Sequence, residues 1–231
     1  MIHDLVSFDG KRGVTAGFRL FILCFVLVLS GMLAGCNTDD GGSDDDTPSG
    51  VWTLVSVYYY DYNGDDQLTI ETDDNNANNK VDTGDQAWYY EYDVNGLRTG
   101  YTMFEDGRTL GDPDGIGTYF YDGNDCNNRL EEETAQGTNL QVWTYTVDSN
   151  CIRSSYSYDG NGTTEVGTYT RDANNNITKL KLDNGDYWEY TLGTNGDPTR
   201  YDFYHNGALY RYGEYVYVNG LLDRLRNYEK R

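Results

Sequence analysis

Short aromatic runs separated by Asn-rich turns constrain the fold of this chain more than any other feature. Between residues 169 and 219 the turns recur about every 11 to 13 residues, and Asn and Gly tolerate the positive φ that a type I′ hairpin turn requires at both central positions. The turns are Asn174-Asn175-Asn176, Asn184-Gly185, Asn195-Gly196, Asn206-Gly207 and Asn219-Gly220. The segments between them are rich in Tyr, Thr, Val and Leu and cover residues 177–182, 187–192, 199–204 and 209–218. The pattern predicts strands joined by hairpins.

The alternation of side chains predicts an all-β, antiparallel meander of about twelve strands, coiled as an open sheet or closed into a barrel. Trp143, Tyr145 and Val147 fall on one face of their strand, and Trp188, Tyr190 and Leu192 do so on another. The opposite faces carry Thr144, Thr146, Glu189 and Thr191. Between residues 210 and 217 the Tyr residues fall at even-numbered positions before Gly213-Glu214 and at odd-numbered positions after it. One extra residue at that point predicts a β-bulge.

The N-terminus predicts export. Lys11, Arg12 and Arg19 precede an apolar run over residues 20–29, which is short for a membrane span of about 20 residues and suits a secretory leader. The run leads to Leu33-Ala34-Gly35-Cys36, which resembles the lipobox of bacterial lipoproteins. That resemblance implies cleavage before Cys36 and acylation of its thiol and new N-terminus; the alternative is an ordinary leader or signal anchor that carries a Cys.

The predicted domains follow from this leader. Residues 1–35 form the lipoprotein signal peptide, which carries the predicted leader helix, and residues 36–50 form the lipidated Cys and a disordered, flexible acidic tether. Residues 51–231 form one all-β repeat domain. Asn37, rather than Asp, follows the Cys, and in the lipoprotein resemblance this implies the outer membrane of the cell envelope.

The net charge of the chain excludes several partners. It is −21, and removal of the leader leaves 14 basic and 36 acidic residues. Such a surface repels nucleic acid and anionic lipid headgroups, so neither is expected as a direct partner. A solvated acidic surface explains the charge as well as any binding role does.

An Asx-rich segment at residues 61–85 suggests a cation site. With Asp74 as position 1, oxygen-bearing side chains fall at positions 1, 3, 5, 9 and 12, a spacing that resembles the calcium loops of thrombospondin type 3 repeats and dockerins. The resemblance implies Asp74, Asn76, Asn78, Asp82 and Asp85 as calcium ligands, with Asp61, Asn63 and Asp65 as a less regular second set. Position 6 is Asn79 instead of Gly, and Asn also accepts left-handed geometry. Plain turn chemistry remains the alternative.

The body of the chain carries a second resemblance. Tyr-x-Tyr-Asp fragments at residues 90–93, 119–122 and 156–159, with a partial copy at 169–172, resemble the YD repeat of the RHS family. In that family hairpins build long antiparallel sheets, and in large members the sheets curl into a shell. This chain is too short to enclose a passenger domain, so the resemblance implies the sheet architecture alone.

Cys126 and Cys151 are the thiols that remain after leader removal and lipidation, and an oxidising compartment predicts a disulfide between them. In a meander with turns near residues 122–128, 136–139 and 148–150, both Cys fall on the same edge, two strands apart. Two buried thiols are the alternative.

The sequence predicts a non-enzymatic protein. His205 adjoins the Asn206-Gly207 turn and is interpreted as a turn residue rather than a general base, and neither the Glu105-Asp106 pair nor the Glu131-Glu132-Glu133 run defines a site. Two functions remain open. The first is an envelope lipoprotein whose sheet serves a structural or interaction role with an envelope protein or surface polymer. The second is a carbohydrate-binding module that uses exposed rows of Tyr and Trp.

Overall fold

The structure, a computed structural model, describes residues 51–79, 82, 84–105, 112–134, 140–160 and 162–230. The chain divides into two units, Met1–Ser49 and Gly50–Arg231, and the first lies wholly outside the described residues. In the second, fourteen described strands pair antiparallel in sequence order, and β14 pairs with β1 to close a barrel. The all-β meander is confirmed, and of the two predicted forms the closed barrel is the one observed.

The described residues hold two strands more than the predicted twelve. The strands are β1 Trp52–Tyr62, β2 Leu68–Asp74, β3 Gln86–Tyr92, β4 Arg98–Phe104, β5 Gly115–Tyr121, β6 Asn127–Thr134, β7 Gln141–Val147, β8 Arg153–Gly160, β9 Thr163–Arg171, β10 Ile177–Leu182, β11 Tyr187–Leu192, β12 Pro198–His205, β13 Ala208–Val218 and β14 Leu221–Lys230. The bounds of β10 and β11 agree with the predicted segments.

The two ends of the barrel differ in what they carry. Successive strands run in opposite directions, so the hairpins that join each odd-numbered strand to the next even-numbered one all lie at the same end, here called the turn rim. The other end is the entry rim, where β1 begins at Trp52 and β14 ends at Lys230. The Asx-rich segment between β2 and β3 also lies at the entry rim.

Six turns of the turn rim share one five-residue design, at residues 63–67, 93–97, 122–126, 148–152, 172–176 and 193–197. In each, the first N–H donates to the fifth carbonyl and the fourth N–H donates to the first carbonyl. The fourth residue has positive φ in every copy. In the first five copies the opening Asn or Asp side chain also accepts the third and fifth backbone N–H groups. Three of the Asp residues of the YD-like fragments, Asp93, Asp122 and Asp172, open such turns.

The predicted type I′ turns are confirmed at two of five positions. Asn206 and Gly207 have φ of 52° and 76°, and Asn219 and Gly220 have 54° and 84°. At the other three, positive φ is confined to one central residue: Asn175, Gly185 or Gly196. These are three-residue loops in which a type I turn is followed by a left-handed residue. Around Asn175, the Asp172 side chain favours this longer loop because it bonds two backbone amides inside it.

A one-residue register shift follows each hairpin turn at the turn rim, so these hairpins are bulged. The extra residues are Thr69, Thr99, Asn128, Ser154, Thr178, Thr199 and Asp223. In four of them the hydroxyl donates to a carbonyl on the partner strand. The bulge predicted at Gly213-Glu214 is wrong: both residues pair regularly with β12 and β14. The parity appeared to change because Tyr212 faces outward while Tyr215 faces inward.

Tyrosine rings fill the barrel through a repeat longer than one hairpin. Three four-strand units, β3–β6, β7–β10 and β11–β14, each place a Trp and a Tyr two residues apart, then a second Tyr 13 residues after the Trp. That second Tyr packs on a glycine directly opposite it on the next strand. The Trp, Tyr, Tyr and Gly sets are Trp88, Tyr90, Tyr101 and Gly117; Trp143, Tyr145, Tyr156 and Gly167; and Trp188, Tyr190, Tyr201 and Gly213.

Three of these Tyr hydroxyls donate hydrogen bonds to buried or partly buried side chains. Tyr201 is 1% exposed and donates to Asn227 Oδ1 at 2.6 Å, and Tyr101 donates to Glu132 in the corresponding place of the first unit. Tyr90 donates to the buried Glu71 at 2.7 Å. Burial raises the pKa of Tyr90 well above its ordinary value, so its hydroxyl stays protonated and remains a donor at any physiological pH.

Candidate functional site

The predicted lipidation residue, Cys36, lies outside the described residues, as do the leader and the tether. Within the described part of the chain, no helix has the length and apolar character needed to span a membrane. The lipid anchor therefore stays a prediction. The described residues instead define two places with functional potential, the turn rim and one outer wall of the barrel.

A disulfide joins two turns of the turn rim. Cys126 and Cys151 are bonded with their Cα atoms 4.9 Å apart, which confirms the predicted pair. The shared turn design explains the contact, since Cys126 is the fifth residue of its turn and Cys151 the fourth residue of the next. Cys151 holds φ at 63°, a strained value for most side chains that the turn imposes at this position.

The same fourth-to-fifth contact recurs in two other turn pairs. A Cβ added to Gly96 would lie 3.1 Å from the Gln67 side chain, and one added to Gly196 would lie 3.0 Å from that of Asn176. Gly196 and Asn176 also line a polar groove between the last two of the six turns, together with Asp172, Asn174 and Asn195. Three of the five neighbouring pairs among the six turns thus approach each other at the fourth and fifth positions.

Hydrogen bonds favour the ionised form of three carboxylates at the turn rim. The hydrogen bond from the Leu97 N–H lowers the pKa of Asp93, and the one from Ile152 lowers that of Asp148. For Asp172 the main cause of the lowered pKa is the Asn176 side chain, followed by the Asn176 backbone. These carboxylates therefore carry negative charge while they fix the turns.

The structure brings the five predicted calcium ligands of the main set into one loop at the entry rim. Asp74 accepts the N–H groups of Asn78 and Asn79, and Asp85 accepts those of Asn75 and Asp82. Asp74 and Asp85 are both fully buried. Asn79 has φ of 64°, which confirms the left-handed geometry expected at position 6.

The remaining ligands of that loop bond to one another. The side-chain amides of Asn76 and Asn78 approach the two oxygens of Asp82 at 3.5 and 2.9 Å. Among the described residues, no group of three or more His, Cys, Asp or Glu is placed to hold a metal. Because the loop satisfies its own carboxylates, these contacts account for its shape by turn chemistry, and calcium binding stays a prediction.

The second predicted set is not part of that loop. Asp61 lies near the end of β1, and Asn63 and Asp65 form the first turn of the turn rim. Asn63 Oδ1 accepts the N–H groups of Asp65 and Gln67, the role that Asp has in the other copies. The barrel height therefore separates this set from the Asp74 loop.

His205 closes β12 and connects two hairpin turns of the entry rim. Its Nδ1 lies 2.9 Å from Asp186 Oδ2, while the Asn206 side-chain amide lies 2.8 Å from Nε2. The hydrogen bond with His205 lowers the pKa of Asp186. The contacts agree with the interpretation of His205 as a turn residue, and the absence of enzymatic activity stays a prediction.

The aromatic rows that suggested sugar binding face the barrel interior. Tyr145 is buried, and Trp188 stacks on Phe203 with ring centroids 4.4 Å apart. The predicted opposite faces, with Thr144, Thr146, Glu189 and Thr191, are exposed. The period-two pattern was therefore read correctly, but its aromatic side is core.

A different set of aromatic residues lies on the outside of β10–β14 and β1, and sequence reasoning missed it. Lys179 Nζ lies 3.7 Å from the Tyr187 ring centroid, and Tyr187 stacks on Tyr204 at 4.6 Å. One hairpin further on, Arg200 lies 4.1 Å from the Tyr212 centroid, and Tyr212 stacks on Tyr228 at 4.7 Å. Each is a cation–tyrosine–tyrosine sandwich over three consecutive strands. The sequence signal is an outward-facing Tyr on each of two neighbouring strands, the two lying directly opposite each other. Recognising this signal requires the strand pairing to be known.

Trp52 extends the second sandwich at the entry rim. Its ring lies 4.9 Å from that of Tyr212 in an edge-on contact. Ion pairs with β11 and β12 carboxylates, Lys179–Glu189 at 2.9 Å and Arg200–Asp202 at 2.6 Å, balance the two cations. We call this surface, with Trp52, Lys179, Tyr187, Arg200, Tyr204, Tyr212 and Tyr228, the outer aromatic wall.

Comparison with known proteins gives no family. No protein-family model matches the sequence, and no curated protein matches it. Among solved structures, a porin-like protein from Bacteroides uniformis ATCC 8492 is 13% identical, with 80% of this chain and 92% of that chain covered and a TM-score of 0.38. The Photorhabdus luminescens Tc holotoxin pore and a TcdB2–TccC3 protein are each 12% identical, and 74% of this chain matches 11% of theirs, with TM-scores of 0.28 and 0.27. TM-scores this low support no inference about this chain.

Proposed function

We propose that the chain is a lipid-anchored envelope protein whose barrel holds the turn rim away from the membrane as a rigid interaction surface. The observation that carries the proposal is that the chain enters the barrel at one end while the matched turns lie at the other. The chain enters β1 at the entry rim, so an anchor at Cys36 attaches there, and the six matched turns lie at the opposite end.

The turn rim has the properties of a preformed binding surface. Its backbone is fixed by Asx side chains, by contacts between neighbouring turns and by the Cys126–Cys151 disulfide, so little conformational entropy is lost when a partner binds. The second residue of each five-residue turn projects from the rim, and Val94 at this position is fully exposed. Ionised aspartates give the rim a negative charge, which suits a partner with a basic surface.

The exposed outward side chains of β7–β9 support a barrel in contact with water. Thr144, Thr146, Thr168 and Thr170 are exposed there together with Ser157. Hydroxyl-rich strand faces of this kind are typical of a solvated sheet. In this proposal the acyl chains at Cys36, and not this face of the barrel, connect the protein to the membrane.

Site-specific photo-crosslinking in intact cells tests the interaction role. A photoreactive amino acid at Val94, and at the equivalent Ala173, is expected to give one discrete adduct shared by both positions. The matched control is Ala208, an exposed residue that opens β13 at the entry rim, where no such adduct is expected. Equal adducts at all three positions, or none at either rim position, would contradict the proposal.

The anchor is tested separately by metabolic labelling with a fatty-acid analogue. The wild type is expected to incorporate the label and to fractionate with membranes, whereas Cys36→Ala is expected to do neither. Full labelling of Cys36→Ala would show that the chain is not acylated at this residue.

A further inference from the structure

We infer that the outer aromatic wall is a membrane-contact surface that lies against zwitterionic phospholipid headgroups and orients the barrel on the bilayer. This inference rests on the lipid anchor of the proposed function. It assigns a role to the two cation–tyrosine–tyrosine sandwiches, because the proposed interaction at the turn rim does not involve them.

The length of chain outside the described residues places the wall near the bilayer. Residues 37–51 separate Cys36 from Trp52, which limits the distance between these two residues to about 50 Å. The wall begins at Trp52, the first residue of β1. A surface held this close to the bilayer has a high effective concentration there, so a weak affinity is sufficient for contact.

The position of the wall residues along their strands agrees with this placement. Tyr187 opens β11, Tyr204 is the penultimate residue of β12, and Tyr228 lies two residues before the end of β14, so all three lie toward the entry rim. Their rings are partly buried against neighbouring side chains. Tyr and Trp combine an apolar ring with a polar group at its edge, which makes them typical of the membrane–water interface.

The covered ring faces favour lipid headgroups over sugars. Stacking on a sugar needs a ring face open to solvent, but Tyr187 has Lys179 on the side of β10 and Tyr204 on the side of β12. Tyr212 is likewise enclosed and only 6% exposed. The middle rings Tyr187 and Tyr212 therefore present edges and hydroxyls instead of open faces.

The charges of the wall complement a zwitterionic headgroup. Lys179 and Arg200 can bind the phosphate, while their partners Glu189 and Asp202 can accept the ammonium group. The strongly acidic chain as a whole disfavours anionic lipid. Phosphatidylethanolamine, which carries both a phosphate and a primary ammonium, fits this pattern of paired charges.

Tryptophan fluorescence tests the contact because Trp52 is the only Trp on the outside of the described barrel. The lipidated full-length protein is reconstituted in phosphatidylethanolamine–phosphatidylcholine vesicles with acyl chains brominated near the carbonyl. Quenching by the brominated lipid is expected in the wild type. In Trp52→Phe, where the three remaining Trp residues face inward, the quenching is expected to disappear.

A moved reporter provides the matched control. Thr144 faces outward on β7, seven strands from β14 on the far side of the ring, and Trp52→Phe/Thr144→Trp places the single outer Trp there. This variant is expected to show no quenching. Equal quenching at residue 144, or no quenching of Trp52 in an acylated wild type, would overturn the wall assignment.

The mass of the N-terminal peptide, measured on the same sample, separates the two proposals. Acylated Cys36 with an unquenched Trp52 overturns the outer aromatic wall as a lipid contact and leaves the anchor in place. An unmodified Cys36 overturns the anchor, and with it the inference that depends on it.

Discussion

Gly213 shows how a single residue determines the packing inside the barrel. A Cβ at this position would lie 2.0 Å from the Tyr201 ring, which packs directly over the glycine. Tyr201 must keep this position to donate to Asn227 across the intervening strand. The same Tyr-over-Gly contact at Gly117 and Gly167 indicates that glycine is required in these strands by the neighbouring ring rather than by backbone conformation.

We expect Gly213→Ala to destabilise the barrel by about 1 to 3 kcal/mol, because the new methyl group displaces Tyr201 in a packed interior. Urea unfolding followed by circular dichroism measures the change. Gly123→Ala is the matched control, since a Cβ there meets nothing within 4 Å. Equal midpoints for the two variants would contradict the Tyr-over-Gly account.

The rim aspartates give a second residue-scale prediction, which concerns pH. The pKa values of Asp93, Asp148 and Asp172 are lowered from 3.8 in the folded chain. Their contribution to stability is therefore present above pH 3.8 and is lost as the pH falls through the lower folded values. Asn accepts the same amide hydrogen bonds, as native Asn63 does. Replacing all three Asp residues by Asn should therefore reduce the loss of stability as the pH falls. Unfolding midpoints measured at a series of pH values below 5 would show the difference, with Asp65→Asn, at the third rather than the opening position of its turn, as the control.

At the scale of elements, the hairpins show what the sequence could and could not predict. The bounds of β10 and β11 were predictable because an Asn-rich or Asn-Gly turn lies shortly before and after each strand. The loop type was not, since Asn followed by Gly fits both a type I′ turn and the left-handed end of a longer loop. Around Asn175 the opening Asp172 decides between them, and the Asp-x-Asn spacing was the available signal. The loops at Gly185 and Gly196 open with Leu182 and Gly193, so that signal is missing there.

The shared turn design predicts a new disulfide at the turn rim. Asn176 and Gly196 occupy the same fifth and fourth positions as Cys126 and Cys151, so Asn176→Cys/Gly196→Cys should form a disulfide when dissolved oxygen is the oxidant. Closing this loop of 20 residues should add roughly 3 kcal/mol in the chain-entropy model. Intact mass and the urea midpoint, each with and without reductant, provide the measurement. The register-shifted pair Asn175→Cys/Gly196→Cys is the control and is expected to stay reduced.

The loop between β2 and β3 carries the calcium prediction. Calcium would have to replace the Asn76 and Asn78 amides at the Asp82 carboxylate, and binding to the folded state alone would raise the melting temperature. Differential scanning calorimetry with calcium and with chelator measures this, and Asp82→Asn is expected to abolish any increase. Identical melting curves in calcium and chelator would leave turn chemistry as the full explanation of the Asx spacing.

At the scale of the whole molecule, closure of the barrel is the step that the sequence left open. Strand period and turn spacing are local properties, whereas closure depends on β1 and β14 meeting across nearly the whole domain. The same limit applies to the direction in which each row of aromatic residues points, because the alternation of side chains separates two faces of a strand without showing which face the barrel encloses. This is why Trp143 and Trp188 could each be assigned to the aromatic face of their own strand, but that face could not be placed inside the barrel.

Closure can be tested with a cysteine pair at the seam. Ser56 on β1 lies opposite Asn227 on β14, and the Asn227 side chain donates to Ser56 Oγ at 3.0 Å. In a closed barrel, Ser56→Cys/Asn227→Cys should form a disulfide between residues 171 apart in sequence, visible as a faster-migrating species on a non-reducing gel. An open sheet would separate these two edges by the width of the other strands, about 4.8 Å for each, and no bond could form. A pair that combines Ser56→Cys with Ser157→Cys on β8 should stay reduced in either form, so crosslinking in the first pair alone identifies the closed barrel.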